Sequence, residues 1–325
     1  HTELKSTSPY GLEWIHLGPT LNGARVEAIQ SDSNNPGTIY AAFGSGGLWK
    51  TINNGLNWNP IFENMPSLGI GDIAIAPSNT EIIYVATGES LKKARNFTMP
   101  GTGVYRSNNG GDTWEHIGLN DTWHIGEIVV HPNNPDIVLV AAQGHFWSSN
   151  ENRGIFRTDD GGKSWNHVLF IDENTGANDI VFSRANPKIV YATTWENYPD
   201  VNGKKSAVYK SEDAGLVWNK IINGVTINKN TGRIGIAASY QDKDKAYIFI
   251  DQRNQRNGQG TGEVYKTING GKNWKKTHKE NIKSLSVIGW YFMDMYVNPQ
   301  NDEEIYGLGV RLIHSIDGGK TFKNI

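Results

Sequence analysis

The chain has 325 residues, 37% of them hydrophobic, which is more than one ordinary compact core usually holds, so two domains or a repeat architecture are expected. A formal net charge of −2 argues against nucleic acid or an anionic membrane as a partner, and no apolar run is long enough to span a membrane. The absence of cysteine excludes disulfides and thiol chemistry. Thirty-seven glycines and eleven tryptophans favour short strands joined by tight turns.

The first predicted element is a short strand at residues 14–17. It resembles the fourth strand of a later repeat in composition, but no turn of the repeated kind precedes it. We interpret it as a closing strand that completes a blade begun elsewhere. A seventh blade beyond residue 325 would explain it, and we favour that reading over a six-bladed ring with this strand at its edge. Because the chain starts at His1, we also expect it to be a processed or excised part of a longer protein.

Six copies of one turn follow at near-even spacing, roughly 53 residues apart. Each copy has Ser or Thr first, Asp or Asn third, Gly fifth and an aromatic residue eighth. The copies begin at Thr51, Ser107, Thr158, Ser211, Thr267 and Ser315. The third side chain can accept backbone N–H groups of its own turn, and the fifth glycine supplies a positive φ. The pattern therefore predicts a hairpin turn whose aromatic residue packs between neighbouring sheets.

Two apolar strands precede the strand that leads into each turn, and no segment has a helical period. Four antiparallel strands per repeat, named A to D from the channel outward, predict an all-β propeller. We expect one propeller domain over residues 1–325, with blades at approximately 25–62, 70–118, 125–170, 177–222, 231–277 and 292–325.

The repeated turn resembles the Asp box, or bacterial neuraminidase repeat, of sialidases, xyloglucanases and the sortilin receptor propeller. The segments 46–51 (GGLWKT), 70–77 (IGDIAIAP), 84–89 (YVATGE) and 124–126 (HIG) resemble large secreted bacterial proteins described as sortilin-like or as glycosyl hydrolases. That resemblance covers nearly the whole chain and implies a propeller, further Asp boxes and further domains beyond residue 325. It does not choose among hydrolase, receptor and assembly factor, because one scaffold serves all three.

Antiparallel strands put every D–A and B–C loop on one face of a propeller, here called the loop face, and every repeated turn on the opposite, turn face. Tryptophans that the repeat does not require fall in these loops, which also contain the longest non-repetitive segments (88–103, 143–154, 195–206 and 251–262). Long loops with aromatic residues on a rigid scaffold are frequent binding sites. We therefore predict ligand contacts on the loop face from Trp123, His124, His145, Trp147, Trp195, Arg233, Trp290 and Tyr291.

Acidic residues recur where strand A begins, which should place them around the mouth of the channel. Facing carboxyls suit general acid–base chemistry, because their proximity separates their pKa values. The candidate catalytic residues are Asp72, Glu127, Asp179 and Asp294, with Arg233 close to the corresponding position of the fifth blade. The alternative is that these charges only hydrate the channel and bond to neighbouring strands. No metal-binding spacing and no cofactor motif occurs, so neither is expected.

The leading hypothesis from the sequence is a secreted, cell-surface or periplasmic propeller that binds a peptide or polysaccharide on its loop face. The first alternative is a glycoside-active enzyme that uses the carboxyls of the channel mouth. The second is an assembly or scaffold protein that uses the sides of its blades.

Overall fold

The computed structural model describes residues 25–90, 98–253, 260–279, 282 and 289–325. The predicted closing strand at 14–17 lies outside these residues. The described chain forms six four-stranded antiparallel sheets, each made of four consecutive strands. The predicted all-β propeller is therefore confirmed as a six-bladed one.

The strands follow one another in chain order. Blade 1 contains β1 (Val26–Ser31), β2 (Ile39–Phe43), β3 (Gly47–Thr51) and β4 (Asn59–Pro60). Blade 2 contains β5 (Ile70–Ile75), β6 (Ile83–Thr87), β7 (Val104–Ser107) and β8 (Glu115–His116). Blade 3 contains β9 (Ile125–Val130), β10 (Val138–Ala142), β11 (Gly154–Thr158) and β12 (Asn166–Leu169).

The second half of the chain repeats this arrangement. Blade 4 contains β13 (Thr175–Phe182), β14 (Val190–Glu196), β15 (Ala207–Ser211) and β16 (Asn219–Lys220). Blade 5 contains β17 (Thr231–Ala238), β18 (Ala246–Arg253), β19 (Gly260–Thr267) and β20 (Lys275–Lys276). Blade 6 contains β21 (Asp294–Asn298), β22 (Asn301–Leu308), β23 (Leu312–Ser315) and β24 (Lys323–Asn324).

Among the residues that the structure describes, helix is confined to one short 3₁₀ turn, Asn120–Thr122, in the loop that joins blades 2 and 3. None of the helical structure in the described ranges has the length and apolar content needed to cross a bilayer.

The repeated turn has the same internal hydrogen bonds in all six blades. In blade 1 the hydroxyl of Thr51 accepts the amide of Gly55 at 3.0 Å, and the side-chain oxygen of Asn53 accepts the amide of Asn57 at 3.0 Å. Gly55 has a φ of 85°, as its position requires. The predicted chemistry of the turn is therefore confirmed, and it is local to each hairpin.

Apolar side chains from consecutive blades form the core. Among the described residues, separate clusters join blades 1 and 2, 2 and 3, 3 and 4, 4 and 5, and 5 and 6. Indole groups of the turns connect some of the same neighbours: Trp114 and Trp165 donate to carbonyls of the preceding blade at 2.8 and 2.7 Å. No comparable cluster joins blade 6 to blade 1 within the described part of the chain.

Candidate functional site

A central cavity of about 710 Å³ is lined by the inner strands of all six blades. Six of the residues predicted from the sequence line it: Asp72, Glu127, Asp179, Arg233, Tyr291 and Asp294. The other six, namely Trp123, His124, His145, Trp147, Trp195 and Trp290, are not part of its wall. The sequence therefore identified two groups of residues, and the structure brings only the first together in one cavity.

Three of the predicted carboxyls connect neighbouring blades. Each lies on an inner strand and accepts a backbone amide from the inner strand of the next blade. The bonds are Ile128 N–H to Asp72 (2.9 Å), Ile180 N–H to Glu127 (2.9 Å) and Ile236 N–H to Asp179 (2.8 Å). The hypothesis that such charges bond to neighbouring strands thus describes part of what these residues do.

The series of carboxyls is interrupted in blade 5. The residue equivalent to Asp179 is Gly235, which lies so close to blade 6 that a Cβ atom would be 1.9 Å from the carbonyl oxygen of Met293. Arg233 connects the two blades instead, donating to the Tyr291 carbonyl at 2.8 Å and to Asp294 at 3.1 Å. Arg233 is only 5% exposed, whereas the Asp294 side chain is 40% exposed to the cavity and solvent.

Burial changes the proton affinity of the cavity carboxyls. Desolvation raises the pKa of Asp72 to about 7, although two backbone hydrogen bonds oppose the change. Desolvation and the adjacent Asp179 raise the pKa of Glu127 well above its usual value. A hydrogen bond between the carboxyls of Glu127 and Asp179 raises the pKa of Glu127 and lowers that of Asp179, where burial has the larger, opposite effect.

Glu27, which is not among the residues predicted from the sequence, also lines the cavity. Burial raises its pKa to about 8; the carboxylates of Glu89 and Asp294 raise it further, and Arg233 and Arg25 lower it. Glu89 itself is fully buried and forms an ion pair with Arg25. The sequence gives little indication of a role for Glu89, because it is a single carboxylate just after an apolar strand.

The aromatic residues of the loop face divide by exposure. Trp123 is 41% exposed and stacks on His145 with ring centroids 3.9 Å apart, and Trp147 is 52% exposed. Trp290 and Tyr291 are half-buried neighbours whose ring centroids are 6.1 Å apart. These exposed and half-buried rings remain candidate ligand contacts.

Two predicted contacts do not reach the surface. Trp195 lies within β14 rather than in a loop, is completely buried, and donates its indole N–H to the Val201 carbonyl at 2.9 Å. His124 is 3% exposed, stacks on Phe146, and bonds through Nδ1 to the Glu89 carbonyl at 2.8 Å. Burial lowers the pKa of His124 to about 4, so it is neutral and donates that hydrogen bond. Both side chains are held by the core, which corrects their expected exposure.

Within the described ranges, no set of three or more His, Asp or Glu side chains is arranged to hold a metal ion. The polar chemistry of the cavity is that of paired carboxyls and arginines. The volume of the cavity suits a small ligand or one end of a chain-like ligand.

The described residues thus form a propeller with a carboxyl-lined channel and aromatic residues at its loop face. A family model for sortilin-Vps10 (sortilin, neurotensin receptor 3) matches residues 102–325, more than half of the chain. The protein therefore belongs to the sortilin-Vps10 family.

Comparison with individual proteins gives more distant similarities. The xyloglucanase Xgh74A of Acetivibrio thermocellus is 23% identical over 355 residues, which cover 98% of this chain and 40% of that enzyme. A GH74 enzyme of Niastella koreensis superposes with a TM-score of 0.68 at 17% identity, over 91% of this chain and 46% of that one. YCF48, in its structure bound to D1 peptide, superposes with a TM-score of 0.55 at 14% identity, over 93% of this chain and 82% of that one. These structural likenesses concern the fold, and the chain spans less than half the length of the two glycan-related proteins.

Proposed function

We propose that this propeller carries a glycoside hydrolase-like site at the loop-face mouth of its central channel. The observation that carries the proposal is a single cavity that contains both buried carboxyls whose pKa is raised, Asp72 and Glu127, and the Arg233-paired carboxylate of Asp294. Cleavage of a glycosidic bond requires one carboxyl that gives a proton and one that is ionised. The similarity to the xyloglucanase of Acetivibrio thermocellus supports a β-glucan of that type as the first substrate to test.

Of the four predicted carboxyls, Asp294 is the best candidate for contact with substrate. Its side chain is 40% exposed. In Asp72, Glu127 and Asp179, by contrast, one carboxyl oxygen accepts a hydrogen bond from a backbone amide of the next blade. A polysaccharide substrate also favours a secreted, cell-surface or periplasmic location, because such polymers are met outside the cytoplasm.

The test measures new reducing ends after incubation with xyloglucan, other β-glucans and pectic polysaccharides. Variants Asp72→Asn, Glu127→Gln, Asp179→Asn and Asp294→Asn keep a hydrogen-bond acceptor at each position, so their folding should be preserved. We expect Asp294→Asn to lose at least about 100-fold in activity. Asp112→Asn, on the exposed turn face, is the matched control and should stay fully active. Absence of cleavage by the folded wild type, or full activity in all four variants, would overturn the proposal.

A second candidate function is recognition of a glycan or peptide without cleavage. It is supported by the exposed rings of Trp123 and Trp147. Packing in the core does not explain two large aromatic side chains that remain this accessible to solvent. Ligand binding measured by calorimetry, with no reducing ends released and with binding weakened in Trp147→Ala, would favour this function over hydrolysis.

A further inference from the structure

The inner strands of blades 1, 2 and 3 share a β-bulge where they enter the channel. The extra residue is Glu27 in β1, Gly71 in β5 and Gly126 in β9. A Cβ atom on Gly71 or Gly126 would be 2.0 or 2.3 Å from a backbone oxygen of the next blade, so glycine is required there. Blade 1 has a glutamate at this position instead, and that side chain lines the cavity. Bulges commonly re-aim side chains beside active sites.

The charged groups around Glu27 come from four elements. Arg25 precedes the same strand and is paired with Glu89, which follows β6. Arg233 of β17 is paired with Asp294 of β21. The Ser90 hydroxyl donates to Glu27 Oε2 at 3.3 Å. Burial and the nearby charge of Glu27 both raise the pKa of Tyr291. Each arginine already has a carboxylate, so Glu27 has no cation of its own and retains its proton at neutral pH.

Oε2 of Glu89 and two polar atoms of residues that line the cavity lack a hydrogen-bond partner at this place among the described residues. The two in the cavity wall are Glu27 Oε1 and Arg233 Nε, and both are shielded from bulk solvent although both residues line the cavity. Buried polar atoms are nearly always bonded, so an unsatisfied pair in a cavity wall indicates a place for ligand atoms. Glu127 differs, because its carboxyl is hydrogen-bonded to that of Asp179 and its Oε2 accepts the Ile180 amide.

We propose that Glu27 is the proton donor of this site and that the Arg233-paired Asp294 is its proton acceptor, acting on a glycosidic bond. The assignment rests on the proposed function and adds a residue to it. Arg25 and Arg233 are each paired with a carboxylate, Glu89 and Asp294 respectively. Glu89 does not line the cavity and is a positioning residue, which holds Arg25 and keeps a negative charge beside Glu27.

In the reaction, the Glu27 proton passes to the glycosidic oxygen as the bond from that oxygen to the anomeric carbon breaks. Water adds to the anomeric carbon and gives its proton to Asp294. One glycosidic bond and one water O–H bond are broken, and a new hydroxyl forms on each sugar. Return of the proton from Asp294 to Glu27, through solvent, restores the site.

The experiment compares Glu27→Gln with wild type on two substrates: the polysaccharide, and an aryl glycoside whose dinitrophenolate leaves without protonation. We expect Glu27→Gln to lose about 10²- to 10⁴-fold on the polysaccharide and less than about tenfold on the aryl glycoside. The wild-type rate on the polysaccharide should fall as the pH rises through the pKa of Glu27, and the variant should lack this alkaline limb. Glu81→Gln, an exposed glutamate on the turn face, is the control and should match wild type.

Carbon-13 NMR of the Glu27 carboxyl gives a readout that does not depend on turnover, and we expect a titration midpoint well above that of an exposed glutamate. Full polysaccharide activity in Glu27→Gln, or equal loss on both substrates, would overturn this assignment while leaving the proposed function in place. A folded wild type that cleaves neither substrate would remove the proposed function, and the assignment with it.

Discussion

Replacing Asp179 with alanine tests whether the cavity carboxyls also hold the propeller together. Asp179 Oδ2 accepts the Ile236 amide of the next blade at 2.8 Å, and the Asp179 carboxyl is hydrogen-bonded to that of Glu127. Ile236 is 3% exposed, so in Asp179→Ala its amide would lose its acceptor in a place where the core limits access to water. Leaving a buried donor unsatisfied costs about 1–3 kcal/mol. Glu127 faces the cavity, where water can replace the lost partner, so we expect a total loss of about 2–3 kcal/mol.

The assay is urea unfolding at neutral pH, followed by tryptophan fluorescence, with the midpoint and slope fitted separately. A lower midpoint with an unchanged slope indicates a change in stability rather than in the denatured state. Asp179→Asn keeps an acceptor for Ile236 and should cost less than about 1 kcal/mol. Asp112→Ala, at an exposed turn, should stay within about 0.5 kcal/mol of wild type. Equal midpoints for Asp179→Ala and Asp112→Ala, or equal losses for the alanine and asparagine variants at position 179, would refute the reasoning.

Three further predictions concern other parts of the ring. Gly71→Ala should destabilise the protein by about 3 kcal/mol or more, since its Cβ atom would be 2.0 Å from the Ile125 carbonyl oxygen; a midpoint equal to wild type in urea would contradict this close contact. Trp195→Ala should cost about 3–5 kcal/mol because the ring is completely buried, whereas Trp147→Ala, at 52% exposure, should change the free energy of unfolding by less than about 0.5 kcal/mol. The pKa of Glu27 is about 8 when folded and 4.5 unfolded, so the native state binds the extra proton and stability should fall as pH rises between these values. Unfolding free energies measured from pH 5 to 8 should show a smaller fall in Glu27→Gln, and identical slopes would argue against the raised pKa.

Much of the fold could be predicted because its signals are local. In each turn the Ser or Thr hydroxyl accepts the Gly amide, and the Asp or Asn side chain accepts an amide four residues further on. The same eight-residue pattern therefore marks the same hairpin six times. Antiparallel pairing then assigns every loop to a face without knowledge of any contact. The acidic positions of the inner strands followed from the same alignment of repeats, and four of them do line one cavity.

The roles of individual side chains could not be predicted, because they depend on contacts between blades. Trp147 and Trp195 have similar sequence surroundings, yet one ring is exposed and the other is enclosed by its own sheet and the Val201 carbonyl. Arg233 is likewise paired with Asp294 of the next blade, 61 residues away in the sequence.

The repeats, the antiparallel blades and the polarity of the two faces were thus determined by the sequence alone, since turn chemistry and strand alternation act over a few residues. The tertiary structure decided which carboxyls accept hydrogen bonds from amides of the next blade, which have an oxygen without a hydrogen-bond partner, and which aromatic rings are exposed to solvent. The physical reason is desolvation: the charge of Glu27 and the exposure of Trp195 depend on how closely distant parts of the chain pack around them, and a local pattern contains no record of that packing.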